Sequence, residues 1–169
     1  MSAAADEIGV RAAVPADGAA IAALIAEHVA EEGAEEGAAI LGRAEDYAAG
    51  LAQGRCACLV AERGGRPLGL LMFYRTFSSW SGRPGLFVED LYLRPEARQL
   101  GLGRRLLAAL ARIAAAEGCD RIDLVVQENN PARAFYARLG WRELPAWRLA
   151  RADAAAIAAL ARAGDPDPV

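Results

Sequence analysis

The stretch RPEARQLGLGRRLL, residues 94–107, sets Gly101 and Gly103 between an apolar run that ends at Pro95 and a leucine-rich segment opening near Leu102. Glycines at such a junction can turn successive backbone N–H groups outward at the positive end of a helix dipole, which is the chemistry of an anion site. Arg98 before the turn, and Arg104 and Arg105 after it, add charge that a phosphate could meet. The plainer reading is an ordinary helix start with surface arginines. Two nucleotide-binding patterns are excluded on the letters. A P-loop needs Lys followed by Ser or Thr after its last glycine, where this chain has Arg104 and Arg105. A dinucleotide turn of the G-x-G-x-x-G type needs glycine or alanine where Leu106 stands.

A second cluster is the acid pair Glu89 and Asp90 inside LFVEDLYL. A strand otherwise apolar on both sides must expose one of them, bury one against a partner, or distort. Simple alternation puts Glu89 on a face with Phe87 and Leu91, and Asp90 on a face with Val88 and Tyr92, unless a bulge moves both acids. A buried salt bridge to an arginine is the structural alternative. Cys56, Cys58 and Cys119 are odd in number and form no zinc set with the single histidine, His28, so they read as reduced thiols and no metal is expected. His28 lies on the apolar stripe of a helix and reads as a packed, hydrogen-bonded residue.

The elements that carry these groups follow from periodicity. Residues 8–14 alternate weakly up to Pro15, giving a first strand, and Ile21, Leu24, Ile25, His28 and Val29 then mark a helix with Asp17 as its cap or first-turn acid. Glu31, Glu32, Glu35 and Glu36 read as a solvated acidic stretch before a short helix over 43–52. Residues 56–77 read as a hairpin turning at Gly64 and Gly65, and residues 84–95 as a third long strand. Leu106, Leu107, Leu110, Ile113 and Ala114 predict a helix over 102–117, stopped by Gly118. RIDLVV (121–126) reads as a buried strand, 131–139 as a helix with Pro131 in its first turn, 146–150 as a strand, and 152–163 as an amphipathic helix. This order predicts an α/β fold, an α+β mixed sheet with an antiparallel front half and a parallel crossover.

Composition sets the outer limits. With 169 residues, 54% hydrophobic and 24% charged, the chain reads as a single domain over 1–169. A net charge of −3 with dispersed arginines argues against a nucleic-acid partner. The N-terminus has no apolar core segment, and no apolar run approaches the ~20 residues that cross a bilayer, so a soluble cytoplasmic protein without a membrane partner is expected.

RQLGLG (98–103) resembles the R/Q-x-x-G-x-G/A signature of the GNAT N-acetyltransferases, and NNPARAFYARLGW (129–141) is similar to their second signature, with Asn129, Ala132, Phe135, Tyr136, Gly140 and Trp141 at the matching positions. The resemblance covers residues 8 to about 150, to which the strand at 146–150 and helix ending at 163 add a C-terminal part. It implies a splayed central mixed sheet flanked by helices, with acetyl-coenzyme A held by Arg98, Gly101, Leu102, Gly103 and Arg104, and by Asn129 and Tyr136. Pantetheine is then expected to pair with backbone near Leu91, Tyr92 and Leu93. The same resemblance gives Tyr136 the role of proton donor to the departing thiolate, and a phenol, with an ordinary pKa near ~10, is protonated at neutral pH. Glu89 becomes the base or the ammonium anchor. Within the superfamily, FYRTFSSWSGRPGLFVEDLYLRPEARQLGLG is most similar to the spermidine/spermine (diamine) branch, which implies substrate contacts at Trp80, Glu89, Asp90 and Glu32. The expected reaction is acetyl transfer to a primary amine of a small cationic substrate in a ternary complex. A transferase for peptide N-termini or lysines, and a noncatalytic acyl-coenzyme A sensor, remain as alternatives. The tail at 147–161 would allow a homodimer.

Overall fold

A computed structural model describes residues 8–32 and 41–163. Its contacts group into two compact units, one running to Val125 and the other from Val126 onward.

The first unit is a five-stranded sheet in the order of the chain: β1 (Ile8–Ala12), β2 (Ala57–Arg63), β3 (Arg66–Ser78), β4 (Arg83–Leu93) and β5 (Ile122–Leu124). The first four strands are antiparallel neighbours and β5 joins β4 in parallel, so the sheet is mixed as the element order predicts. The turn between β2 and β3 has Gly64 and Gly65 at φ 54° and 79°, the left-handed values that a two-residue hairpin matching strand twist requires. Helices α1 (Gly18–Glu32) and α2 (Ala44–Ala52) follow β1, and α3 (Leu102–Ala116) is the crossover between β4 and β5.

Alternation sorts the strands into two faces. Cys58 and Val60 of β2, Leu70 and Met72 of β3 and Tyr92 of β4 form one cluster with Ile21, Leu24 and Ile25 of α1. The intervening residues, among them Leu59, Leu71 and Phe73, face the other way, toward α3, which buries Leu102, Leu106, Leu107, Leu110 and Ala114. Burying each such leucine contributes about 1.5–3 kcal/mol, so the two helices anchor on opposite sides of the strands.

Two sequence expectations for this unit need correction. RIDLVV yields only the short β5 at Ile122–Leu124, half-buried, with Val125 exposed, because a strand pairing on one edge for so few residues cannot shield both faces. Asp90 does not share a face with Val88. The β3–β4 register shifts between Met72 and Phe73, with Met72 opposite Asp90 and Phe73 opposite Val88, so Glu89 is the extra residue of a bulge.

The second unit has α4 (Ala132–Arg138) and α5 (Ala154–Arg162). Asn130 Oδ1 accepts the Ala132 N–H at 2.8 Å, and Pro131 between them has helical backbone, φ −63° and ψ −18°, where α4 begins, as suits a proline in a first turn. Residues 146–150, expected as a strand, are irregular. Trp147 and Leu149 are exposed, so their alternation buries no face, and Arg148 donates to the carbonyls of Pro145 and Trp147 in place of a ladder.

The join between β1 and α1 depends on Asp17. Its carboxylate accepts the Val14 N–H at 2.8 Å and both terminal nitrogens of Arg11 at 2.8 and 2.9 Å. The Arg11 hydrogen bonds hold the carboxyl below its ordinary range; burial opposes them, and the Val14 amide and the Arg11 charge lower it further. A depressed carboxyl stabilises the fold above the unfolded-state pKa and loses that contribution as pH falls through the folded-state value. Asp17→Asn is therefore expected to cost about 1 kcal/mol near pH 7, and the gap to wild type in urea unfolding should close as pH falls below the ordinary carboxylate range. An unchanged gap at acid pH would contradict this origin.

Candidate functional site

The bulge at Glu89 decides how the end of β4 is presented. Phe87 pairs with Tyr74 and Asp90 with Met72, two residues apart on β3, so Phe87 and Asp90 come to one face although they are three apart in sequence. The rings of Tyr74 and Phe87 stack at 5.2 Å. Glu89 itself is exposed, and its charge, after the larger effect of burial, raises the phenol of Tyr74. The parallel ladder to β5 ends at Val88 opposite Leu124, one residue before the bulge. From Asp90 to Leu93 β4 continues its ladder with β3, and among the described residues β5 pairs with none of these.

Asp90 faces α1. Its Oδ1 lies 3.6 Å from His28 Nε2, with both side chains largely covered, and the His28 ring packs on Tyr92 at 5.3 Å. Two further α1 acids reach the same region. Glu27 takes two hydrogen bonds from Arg94, at 2.7 and 2.8 Å, which hold its carboxyl low. Glu31 takes one from Arg98, with the same effect. Glu32 closes α1, and its side chain lies outside the described residues.

Beyond β4 the chain makes a single turn at Pro95–Ala97 and enters the glycine segment. Gln99 and Gly101 both have left-handed backbone, φ 64° and 73°. Gly101 is the N-cap of α3 and offers no side chain, and the first helical bond is Arg105 N–H to Gly101 O at 3.1 Å. The amides of Leu102, Gly103 and Arg104 therefore have no acceptor one turn back, and the first turn holds no acid. Such an end suits a diphosphate. Arg98, assigned to the anion by sequence, is engaged elsewhere: it donates to Leu93 O at 3.0 Å, pairs with Glu31 and lies over the Tyr92 ring.

Trp80 sits in the β3–β4 turn and is 88% exposed. The Met72–Asp90 and Ser78–Arg83 pairs are six positions apart along β3, about 20 Å of strand. Within one chain Trp80 is not brought together with Glu89 and Asp90. In the second unit, Asn129 is exposed in a turn, while Tyr136 packs against Phe135 at 5.4 Å and Trp141 at 5.5 Å. Sequence reasoning missed the contact of His28 with Asp90 and the ties of Glu27 and Glu31 to the arginines after β4. The signal was present as spacing, since residues 27, 28 and 31 share one helical face.

Among the described residues no helix is long and apolar enough to cross a membrane. The chain matches the model of the acetyltransferase (GNAT) family over residues 22–141 and belongs to that family. It is 32% identical over 116 residues to a thialysine N-epsilon-acetyltransferase of Bos taurus, covering 62% of this chain and 68% of that one. It is 31% identical over 93 residues to an L-ornithine N5-acetyltransferase of Arabidopsis thaliana, covering 54% and 41%. Across the thialysine N-epsilon-acetyltransferases the matches span 56–68% of the relative's length. A predicted acetyltransferase with acetyl-CoA from Clostridium acetobutylicum superposes with a TM-score of 0.73 over 86% of this chain and 96% of that one at 17% identity, which shows the shared fold.

The glycine turn generates a stability prediction. A Cβ at Gly101 would meet nothing within 4 Å, so only the left-handed backbone opposes substitution. Gly101→Ala should cost about 1 kcal/mol in urea unfolding. Gly101→Asn should cost less than Gly101→Val, because asparagine tolerates that conformation and a β-branched residue does not. Equal losses for all three would show that the turn rearranges.

Proposed function

We propose that this member of the acetyltransferase (GNAT) family transfers acetyl from acetyl-coenzyme A to a primary amine of a small cationic substrate: a diamine, a polyamine or an amino acid with a side-chain amine. The observation that carries the reading is the bulge at Glu89, set where the β4–β5 ladder stops, which places two carboxylates on a part of β4 that β5 does not pair. The names of the bovine and plant relatives, both transferases to an amine nitrogen, support the substrate class.

The reaction is a direct attack in a ternary complex. The uncapped amides of Leu102, Gly103 and Arg104, with the Arg104 charge, hold the diphosphate, and the backbone at Leu91–Leu93 pairs with the pantetheine amides. Asp90 and Glu89 attract the ammonium group, and Glu89 takes the proton that the nitrogen must lose before it can attack. The nitrogen then bonds to the thioester carbonyl carbon, backbone N–H near Tyr92 or Leu93 supports the oxyanion, and the carbon–sulfur bond breaks. Tyr136 donates its phenolic proton to the departing thiolate, and the second proton that the nitrogen sheds as the amide forms restores the phenol; the role is assigned by its place in the second signature, as is cofactor binding by Asn129. Arg98 joins the anion site once it exchanges Glu31 for phosphate. Glu32 extends the substrate contacts, and Trp80 would reach them only from a second copy of the chain. The chain works as one catalytic domain in a reducing, cytoplasmic setting, which the free thiols of Cys56, Cys58 and Cys119 support. A homodimer is supported by exposed Leu149, Ile157 and Leu160 in the tail.

Thiol release with thialysine, L-ornithine, spermidine and putrescine tests the reading, and turnover is expected with at least one of them. Tyr136→Phe should lower kcat on the order of 10²-fold or more, with the acetyl-coenzyme A dissociation constant unchanged. Failure of every amine would overturn the proposal.

A further inference from the structure

We propose that Glu31 is a competing counter-ion for Arg98: it holds the guanidinium away from the coenzyme A diphosphate in the free protein and takes it back as coenzyme A leaves. The inference rests on the acetyl-transfer reading, in which Arg98 exchanges Glu31 for phosphate. It adds a positioning residue that sets how tightly, and for how long, the cofactor is held.

Arg98 lies three positions before Gly101 and is held by three groups. Its Nε donates to Leu93 O at 3.0 Å, its guanidinium carbon lies 5.9 Å from the centre of the Tyr92 ring, and its Nη2 donates to Glu31 Oε2 at 2.5 Å. The carbonyl and the ring are neutral, so the carboxylate is the contact that answers the charge. The hydrogen bond between them raises the guanidinium above its ordinary value and holds the Glu31 carboxyl low. The two side chains are 41% and 42% exposed. Such a pair is modest in strength, and breaking it leaves the carboxylate to water, not buried and alone.

Its place in the fold makes Glu31 a persistent competitor. It lies in the last turn of α1, which carries no basic residue. The helix dipole disfavours an acid there, so Glu31 depends on a cation from outside the helix. Arg94, the other arginine at this exit from β4, is engaged by both carboxylate oxygens of Glu27 and by Pro67 O. Arg98 supplies the charge that Glu31 needs.

The consequence follows from charge balance. One guanidinium carries a single positive charge, and a diphosphate brings more than one negative charge. With Glu31 still in place, a further anion would stand beside the phosphates; with Glu31 released to water, Arg98 faces them alone. Coenzyme A gains Arg98 only in the fraction of molecules whose pair is open, and its apparent affinity is lowered by that fraction. Recapture of Arg98 by Glu31 then shortens the life of the product complex, whose release is the slow step of many enzymes.

Isothermal titration of coenzyme A alone tests the competition without amine or turnover, at physiological salt, where charges more than about 8 Å apart are largely screened. Glu31→Gln keeps a polar amide and loses the charge, so the coenzyme A dissociation constant should fall roughly two- to sixfold. Stopped-flow displacement should show a slower coenzyme A dissociation rate in the same variant. Arg98→Gln should weaken binding, and adding Glu31→Gln to it should bring no gain, because nothing is left to compete for. Unchanged or weaker binding in Glu31→Gln would overturn the inference, since it would mean that Arg98 serves both anions at once. So would an equal gain with and without Arg98, or an unchanged dissociation rate. If Arg98→Gln fails to fold, Arg98→Ala replaces it in the cycle. Failure of wild type to bind coenzyme A would instead overturn the reading of the glycine turn, and the inference with it, whereas failure of every amine in the thiol-release assay bears on the transfer alone.

Discussion

The end of β4 is organised by one irregularity, the extra residue at Glu89. A regular antiparallel pair would keep Asp90 on the face of Val88, toward α3 and the leucine core, where a carboxylate without a partner costs several kcal/mol. The bulge reverses the parity, so Asp90 and Tyr92 face α1 while Leu86 and Val88 stay buried on the other side. It also coincides with the end of the β4–β5 ladder, so β5 does not pair with the part of β4 that carries the acids. Local distortion and the end of pairing thus fall together in the part of the core strand that carries the acids.

Helix α1 meets that part of β4 with charge. Its residues Glu27, His28 and Glu31 meet Arg94, Asp90 and Arg98, which follow one another along the exit from β4. These side chains are partly exposed, and each ion pair contributes little to stability, on the order of 0–1 kcal/mol. Their effect is geometric. They tie the helix that faces the acid pair to the segment leading into the glycine turn, and Arg98 links both to the carbonyl of Leu93.

The start of α3 is defined as much by what is left out. Gly101 caps without a side chain, no acid enters the first turn, and Gln99 and Gly101 bend the backbone through left-handed conformations. Behind this turn, Leu102, Leu106 and Leu110 are fully buried, so the helix that offers its amides is fixed by its apolar face. An anion site made of main-chain donors needs that rigidity, because a fraying helix end would lose the direction of its N–H groups.

The sequence by itself determined the elements that local rules govern. The glycine pair at 64 and 65 specified a hairpin, the leucines of 106–110 specified an amphipathic helix, and the two signatures around Gly101 and Tyr136 specified the family, because turn conformation, periodicity and motif spacing are properties of neighbouring residues. Tertiary structure alone decided the rest. Whether Asp90 faced Val88 or His28 depended on the register against β3, and alternation along β4 holds no information about an extra residue. Residues 146–150 alternate like a strand, yet stay irregular and exposed, because a strand needs a partner edge as well as a pattern. His28 looked like any packed residue of an apolar stripe until a strand more than sixty positions away put a carboxylate beside it. Contacts across such separations arise from the packing of whole elements, which no local window of residues encodes.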